Sequence, residues 1–138
     1  MREALVTDAQ RIAGLAGQLG YDVPVAHVER QLRRAGDERA VFVAVVPRVG
    51  VVGWIGVALR EAIIEGGRAD IEGLVVEDEY RGNGIGRLLV QAAEGWARQR
   101  NCTSMRLASN VVRERAHEFY RRLGYDVLKT QHAFKKSL

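Results

Sequence analysis

The segment Val76-Glu-Asp-Glu-Tyr-Arg-Gly-Asn-Gly-Ile-Gly-Arg87 carries the most chemistry in the sequence. An apolar run, residues 71–76, precedes it. A helical pattern follows, with Ile85, Leu88, Leu89, Ala92, Trp96 and Ala97 on one face. A strand, a glycine-rich turn and a helix in that order make a site for phosphate. Main-chain N–H groups at a helix start have no helical partner, and the aligned peptide dipoles favour negative charge there. Glycines at 82, 84 and 86 remove β-carbons that would keep a bulky anion away. Two nucleotide patterns can be tested directly. The P-loop ends in Gly-Lys-Ser/Thr, and here the turn ends Gly86-Arg87-Leu88. The dinucleotide fingerprint needs G-x-G-x-x-G and a later carboxylate. This turn is spaced G-x-G-x-G, and the next strand ends at Ser109 and Asn110. Neither pattern fits, and a bare strand-to-helix connection is the other reading of these residues.

Arg81-Gly82-Asn83-Gly84-Ile85-Gly86 resembles the acetyl-CoA loop of the GNAT family of N-acetyltransferases, Arg/Gln-x-x-Gly-x-Gly/Ala after a strand. A second block is similar to that family's late segment: Asn110, then Ala116-His-Glu-Phe-Tyr120-Arg-Arg-Leu-Gly-Tyr125. The likeness is close from Ala69 onward, and the first 60 residues follow only in element order. The tail, residues 109–138, looks most like enzymes acetylating small amines such as aminoalkylphosphonates or aminoglycosides.

The resemblance implies acetyl-CoA as cosubstrate, with no metal indicated, and it implies roles for particular residues. Main-chain N–H groups of Arg81, Gly82, Asn83, Gly84, Ile85, Gly86 and Arg87 would surround the diphosphate. Leu74, Val75 and Val76 would pair through main chain with the pantetheine arm, or serve only as core strand. Tyr120 would sit beside the sulfur and protonate the departing thiolate; otherwise it is an amphipathic tyrosine at a core edge. Asn110 would bond the pantetheine or phosphate arm, or cap a helix beginning at Val111. Arg113 and Arg115 would reach the 3′-phosphate or stay solvated. An alkyl amine of pKa about 10.4 is only about one part in 10³ neutral at pH 7, so a proton route is needed. Glu72, on the same strand face as Asp70, is the candidate base through a water, provided that burial strengthens it. His117 and His132 are rivals. Cys102 lies outside any motif, so direct attack in a ternary complex is expected rather than an acyl-enzyme.

These groups need elements to position them. The pattern predicts a strand over residues 2–6, then a helix from Thr7 with Gln10 completing a capping box. Ile12, Leu15, Ala16 and Leu19 form its buried stripe, and Gly20 stops it. A second helix starts near Val23-Pro24, buries Val25, Val28 and Leu32, and ends at Gly36. Strands follow at 41–46, 51 to about 64, and 69–76, with Gly53 and Gly56 marking bends or bulges. After the glycine turn come a helix to about Gln99, a strand at 105–108, and a helix burying Val112, Ala116, Phe119 and Leu123. Strands at 125–128 and 131–135 close the sheet. The class is α/β: a mixed, mainly antiparallel central sheet flanked by helices. This is also the acyl-CoA N-acyltransferase fold that the resemblance implies.

Composition sets the outer bounds. The 138 residues suit one domain, 1–138. An apolar share of 47% supports a core and argues against disorder. There is no apolar run of membrane-spanning length and no apolar leader pattern, so a cytoplasmic protein is expected. One cysteine excludes an internal disulfide, and no Cys/His cluster has zinc-site spacing. Net charge is +4, and Arg30/Arg33/Arg34 and Arg98/Arg100 have no interleaved aromatics to stack bases, so nucleic acid is not the expected partner. The expected partners are acetyl-CoA and a small primary amine, with no membrane, in a possible homodimer. The rival readings are acetylation of a protein N-terminus or lysine, a non-catalytic CoA-binding regulatory module, and an RNA-binding domain.

Overall fold

A computed structural model describes all residues except 62, 65 and 110–112. Three consecutive antiparallel strands form its middle: β2 (Arg39–Val46), β3 (Gly50–Arg60) and β4 (Arg68–Val76), with β1 (Arg2–Glu3) pairing on β2. After β4 the chain crosses through a long helix, α3 (Ile85–Gln99), and returns as β5 (Met105–Arg106), parallel to β4. A parallel return requires such a crossover, because a tight turn cannot reverse the chain twice. Among the described residues the sheet order is β1-β2-β3-β4-β5, mixed and mainly antiparallel as expected.

Helices cover both faces. α1 (Ala9–Gln18) and α2 (Val25–Arg33) lie on one side, where Ile12, Ala13, Leu15, Val28 and Leu32 pack with Val43, Val51 and Val75, and with part-buried Val41 and Trp54. Leu89 of α3 lies against Gly53, the neighbour of Trp54 on β3. Successive strand residues point to opposite faces, so α3 covers the other side. Its buried stripe is Leu89, Val90, Ala93, Trp96 and Ala97. Leu88, expected on that stripe, falls outside it and is 53% exposed. No helix among the described residues is long and apolar enough to cross a membrane.

Element ends differ from the sequence expectation where side chains compete for the backbone. The first strand stops at Glu3, and a 3-10 turn, Val6–Asp8, leads into α1. No Thr7–Gln10 box forms. Asp8 instead takes the Leu5 N–H at 2.7 Å and both arms of Arg2 at 2.8 and 3.1 Å, which a neutral threonine could not do. Val25, expected to be buried, is exposed in the first turn of α2, away from the Val28–Leu32 stripe. β3 ends at Arg60 instead of near residue 64. β5 is two residues long instead of four.

Contacts divide the chain into two compact units, Met1–Leu107 and Ala108–Leu138. The second contains α4 (Glu114–Arg122), closed by Gly124 at φ 92°, a conformation that glycine adopts without strain. Phe119 meets Tyr120 edge-on at 5.1 Å between ring centres, and Tyr125 meets Tyr120 at 5.9 Å. Ala116, Phe119 and Leu123 are half-buried and not fully buried as expected. Asn110 and Val112 lie outside the described residues, and the helix starts at Glu114, later than the expected 111. The two strands expected at 125–128 and 131–135 are not formed, and residues 125–138 carry no regular secondary structure. Apolar spacing suggests a strand, but only a partner's N–H and C=O groups make one.

Candidate functional site

The glycine turn owes its shape to two left-handed residues, Gly82 at φ 82° and Gly84 at φ 80°. A β-carbon at either would meet nothing within 4 Å, so conformation rather than crowding demands glycine. Gly84 is also the N-cap of α3, and no side chain caps that helix. The first helical bond runs from Leu88 N–H to the Gly84 carbonyl, 3.1 Å. Among the described residues, the N–H groups of Gly82, Asn83, Gly84, Ile85, Gly86 and Arg87 have no protein acceptor. They form a row of donors at a positive helix end. Arg81 differs. Its N–H bonds the Asp78 carbonyl at 3.2 Å. Its guanidinium folds back onto the Val76 carbonyl at 3.1 Å and the Asp78 carboxylate at 2.8 Å. Asn83 braces the turn by donating its side-chain amide to the Tyr80 carbonyl, 3.2 Å.

The last residues of β4 lead straight into this turn. Glu77 N–H bonds the Val52 carbonyl at 2.8 Å. Main-chain direction alternates along a strand, so Val75 bonds toward β3 while Leu74 and Val76 face the opposite edge. Only Ala69 and Asp70 of β4 pair with β5. Beyond Asp70 that outer edge is open among the described residues, and Leu74 and Val76 present it. Of the three strand residues that the resemblance suggests, Val75 has its main chain turned inward. A long-range tie fixes the strand exit. Arg11 of α1 donates to the Val51 carbonyl at 2.8 Å and to the Glu77 carboxylate at 2.6 Å. Nothing local in the sequence marks Arg11, because its partners are 40 and 66 residues away.

On the α1/α2 face, β4 bulges. Gly56 pairs with Gly73 and Val57 with Ile71, which leaves Glu72 as the extra residue. The bulge lies opposite Gly56, one of the two strand glycines at which the sequence predicts a bend or bulge. The bulge seats Trp54: a β-carbon on Gly73 would lie 2.7 Å from the indole ring. Glu72 is not buried. Its side chain is 45% exposed, and Arg39 of β2 meets it at 2.9 Å. The other arm of Arg39 bonds Gln31 of α2 at 2.6 Å. Asp70 is paired with Arg68 at 3.0 Å and Arg60 at 3.2 Å. Arg39 and Gln31 are not marked by any motif; two small strand residues, Gly56 and Ala58, are the signal that a long side chain crosses above them.

In the second unit, burial pushes the Tyr120 phenol above its usual range, with Arg113 pulling weakly the other way. The phenol is therefore protonated throughout the neutral range. His117 lies one helical turn before it, half-buried, and has a partner of its own. His132 is exposed. In the first unit, burial likewise raises the Cys102 thiol, so it is no ready nucleophile.

Comparison with known proteins supplies the class. The family model described as "Acetyltransferase (GNAT) family" matches residues 8–125. An aminoglycoside N(6')-acetyltransferase of Stenotrophomonas maltophilia is 30% identical over 130 residues, 91% of this chain and 85% of the relative. A glucosamine 6-phosphate N-acetyltransferase of Trypanosoma brucei brucei is 32% identical over 105 residues, 75% of this chain and 69% of the relative. Among solved structures, AAC(6')-Iy in complex with the bisubstrate analogue CoA-S-monomethyl-acetylneamine superposes with a TM-score of 0.86 at 18% identity, covering 99% of this chain and 97% of that one. This last likeness carries the fold. The chain belongs to the acetyltransferase (GNAT) family and is an N-acetyltransferase.

Proposed function

We propose that this enzyme moves the acetyl group of acetyl-CoA to a primary amine of a small molecule by direct attack. One observation carries the reading: the open edge of β4 at Leu74 and Val76 runs into the uncapped donor row of residues 82–87. An extended amide arm fits the first part and a diphosphate the second. When bound, acetyl-CoA supplies an activated acetyl thioester. Leu74 and Val76 align it through main chain, and Gly82 to Arg87 neutralise its phosphates. Asn110 is assigned to the same arm by family likeness. The named relatives, which act on aminoglycosides or glucosamine 6-phosphate, support a small amine as acceptor.

Glu72, through a water, takes the proton that the ammonium must lose. The neutral nitrogen then bonds the acetyl carbon as the carbon–sulfur bond breaks. Tyr120 gives its proton, or a strong hydrogen bond, to the departing sulfur, and solvent returns the proton to the phenol. The family match spans both units, which supports a single acetyltransferase domain over 1–138. The same reading makes the protein a cytoplasmic homodimer, which fractionation and light scattering check. Calorimetry with acetyl-CoA, followed by thiol release across an amine panel, tests the whole. Binding without release on any amine or peptide would leave a CoA-binding module, and no binding would remove the proposal.

A further inference from the structure

We propose that the acceptor is zwitterionic: a primary amine with an anionic group a few bonds away, its anion held by Arg39 and its ammonium received by Glu72. This rests on the acetyl-transfer reading above. Glu72 sits at the bulge of β4, just past the last residue paired with β5, so it stands where the open edge begins. An amine must approach the edge at that end. Arg39 reaches Glu72 from β2 across the whole width of β3. It crosses the row where β3 carries Gly56 and Ala58, two small buried residues, with Trp54 beside Gly56.

The Arg39–Glu72 pair is poised for exchange. Both side chains are well exposed, 37% and 45%, and such pairs contribute little net stability. Gln31 holds the second arm of Arg39 at 2.6 Å, so the guanidinium keeps its place when Glu72 turns away. A ligand with charges in the complementary order replaces one ion pair with two. A guanidinium suits a phosphate, phosphonate or carboxylate, whose oxygens match its paired N–H groups. A polycation finds little here. The two carboxylates of this strand face, Asp70 and Glu72, are already met by three arginines, Arg39, Arg60 and Arg68.

The test uses matched acceptors on the whole chain: glucosamine 6-phosphate against glucosamine, 3-aminopropylphosphonate against propylamine, and kanamycin as the polycation. Wild type is expected to favour the anionic member of at least one pair by tenfold or more in kcat/KM, and to favour it over kanamycin. Arg39→Gln is expected to lose that preference at least tenfold, chiefly through the acceptor KM, and Arg39→Lys to recover part of it. Calorimetric Kd values for the anionic amine on the CoA-bound protein should move in parallel. Equal use of both members of each pair, preference for kanamycin, or an Arg39→Gln loss shared equally by charged and uncharged amines would overturn the inference while leaving acetyl transfer intact. Failure of acetyl-CoA itself to bind would take down both.

Discussion

The proposed mechanism gives Tyr120 and Glu72 opposite tasks, and their surroundings differ. Burial keeps the Tyr120 proton in place above the usual range, so the phenol can donate to sulfur at any pH below about 10. Activity that depends on this donor is present below the ordinary phenol pKa and is lost as pH rises through the higher folded value. Tyr120→Phe keeps the ring contacts with Phe119 and Tyr125 and removes only the hydroxyl. It is expected to lower kcat by about 10²-fold or more, with the KM for acetyl-CoA nearly unchanged. Steady-state kinetics decides this, and full turnover in the variant would remove Tyr120 from the chemistry. Glu72 is exposed and paired with Arg39, which suits the water-mediated role proposed for it. Glu72→Gln is expected to flatten the acidic limb of the pH–rate curve. An unaltered limb would direct attention to a histidine.

The glycine turn and the β4 bulge show how local and distant information divide between sequence and fold. The turn was legible because it is local: Gly82 and Gly84 must be glycine for their positive φ, and the helix start follows at once. Gly84→Val places a β-branched residue in the left-handed region at a cost of about 1–2 kcal/mol. Its side chain would point into open space, so the fold should survive while acetyl-CoA binding is lost. Thermal melts together with calorimetry separate the two effects, and unchanged affinity would refute the turn's assignment. Gly73 was not legible, because its requirement comes from Trp54, 19 positions earlier in the chain. A β-carbon there would sit 2.7 Å from a rigid indole. Gly73→Ala is therefore expected to cost about 1–3 kcal/mol by overcrowding, measured by chemical denaturation. Arg39 and Arg11 were missed for the same reason. The strands expected after Gly124 failed in the opposite direction: Val127, Leu128 and Phe134 supply apolar residues, and all three are exposed.

At the scale of the molecule, the first unit is closed by ties between its beginning and its sheet. β1 is only two residues long, so pairing with β2 alone cannot hold the N-terminal segment. Arg2 and the Leu5 N–H converge on Asp8, whose side chain is 11% exposed, and this fixes β1 to the turn that opens α1. The hydrogen bond from Arg2, aided by that from Leu5, draws the Asp8 carboxyl below its ordinary value against the opposing effect of burial. A lowered folded pKa means that the unfolded chain binds the proton more readily. The stabilisation is therefore complete above the unfolded value of about 3.9 and disappears as pH falls through the folded one. Asp8→Ala leaves the part-buried Leu5 N–H and the Arg2 guanidinium without their acceptor, and is expected to cost about 1–3 kcal/mol at neutral pH. Asp8→Asn removes the titration while keeping an oxygen for Leu5. Urea midpoints measured from pH 6 down to pH 2.5 should fall more steeply below pH 4 in wild type than in Asp8→Asn, since only wild type has this proton to gain. Parallel curves would mean that the tie between β1 and α1 bears no part of the acid sensitivity.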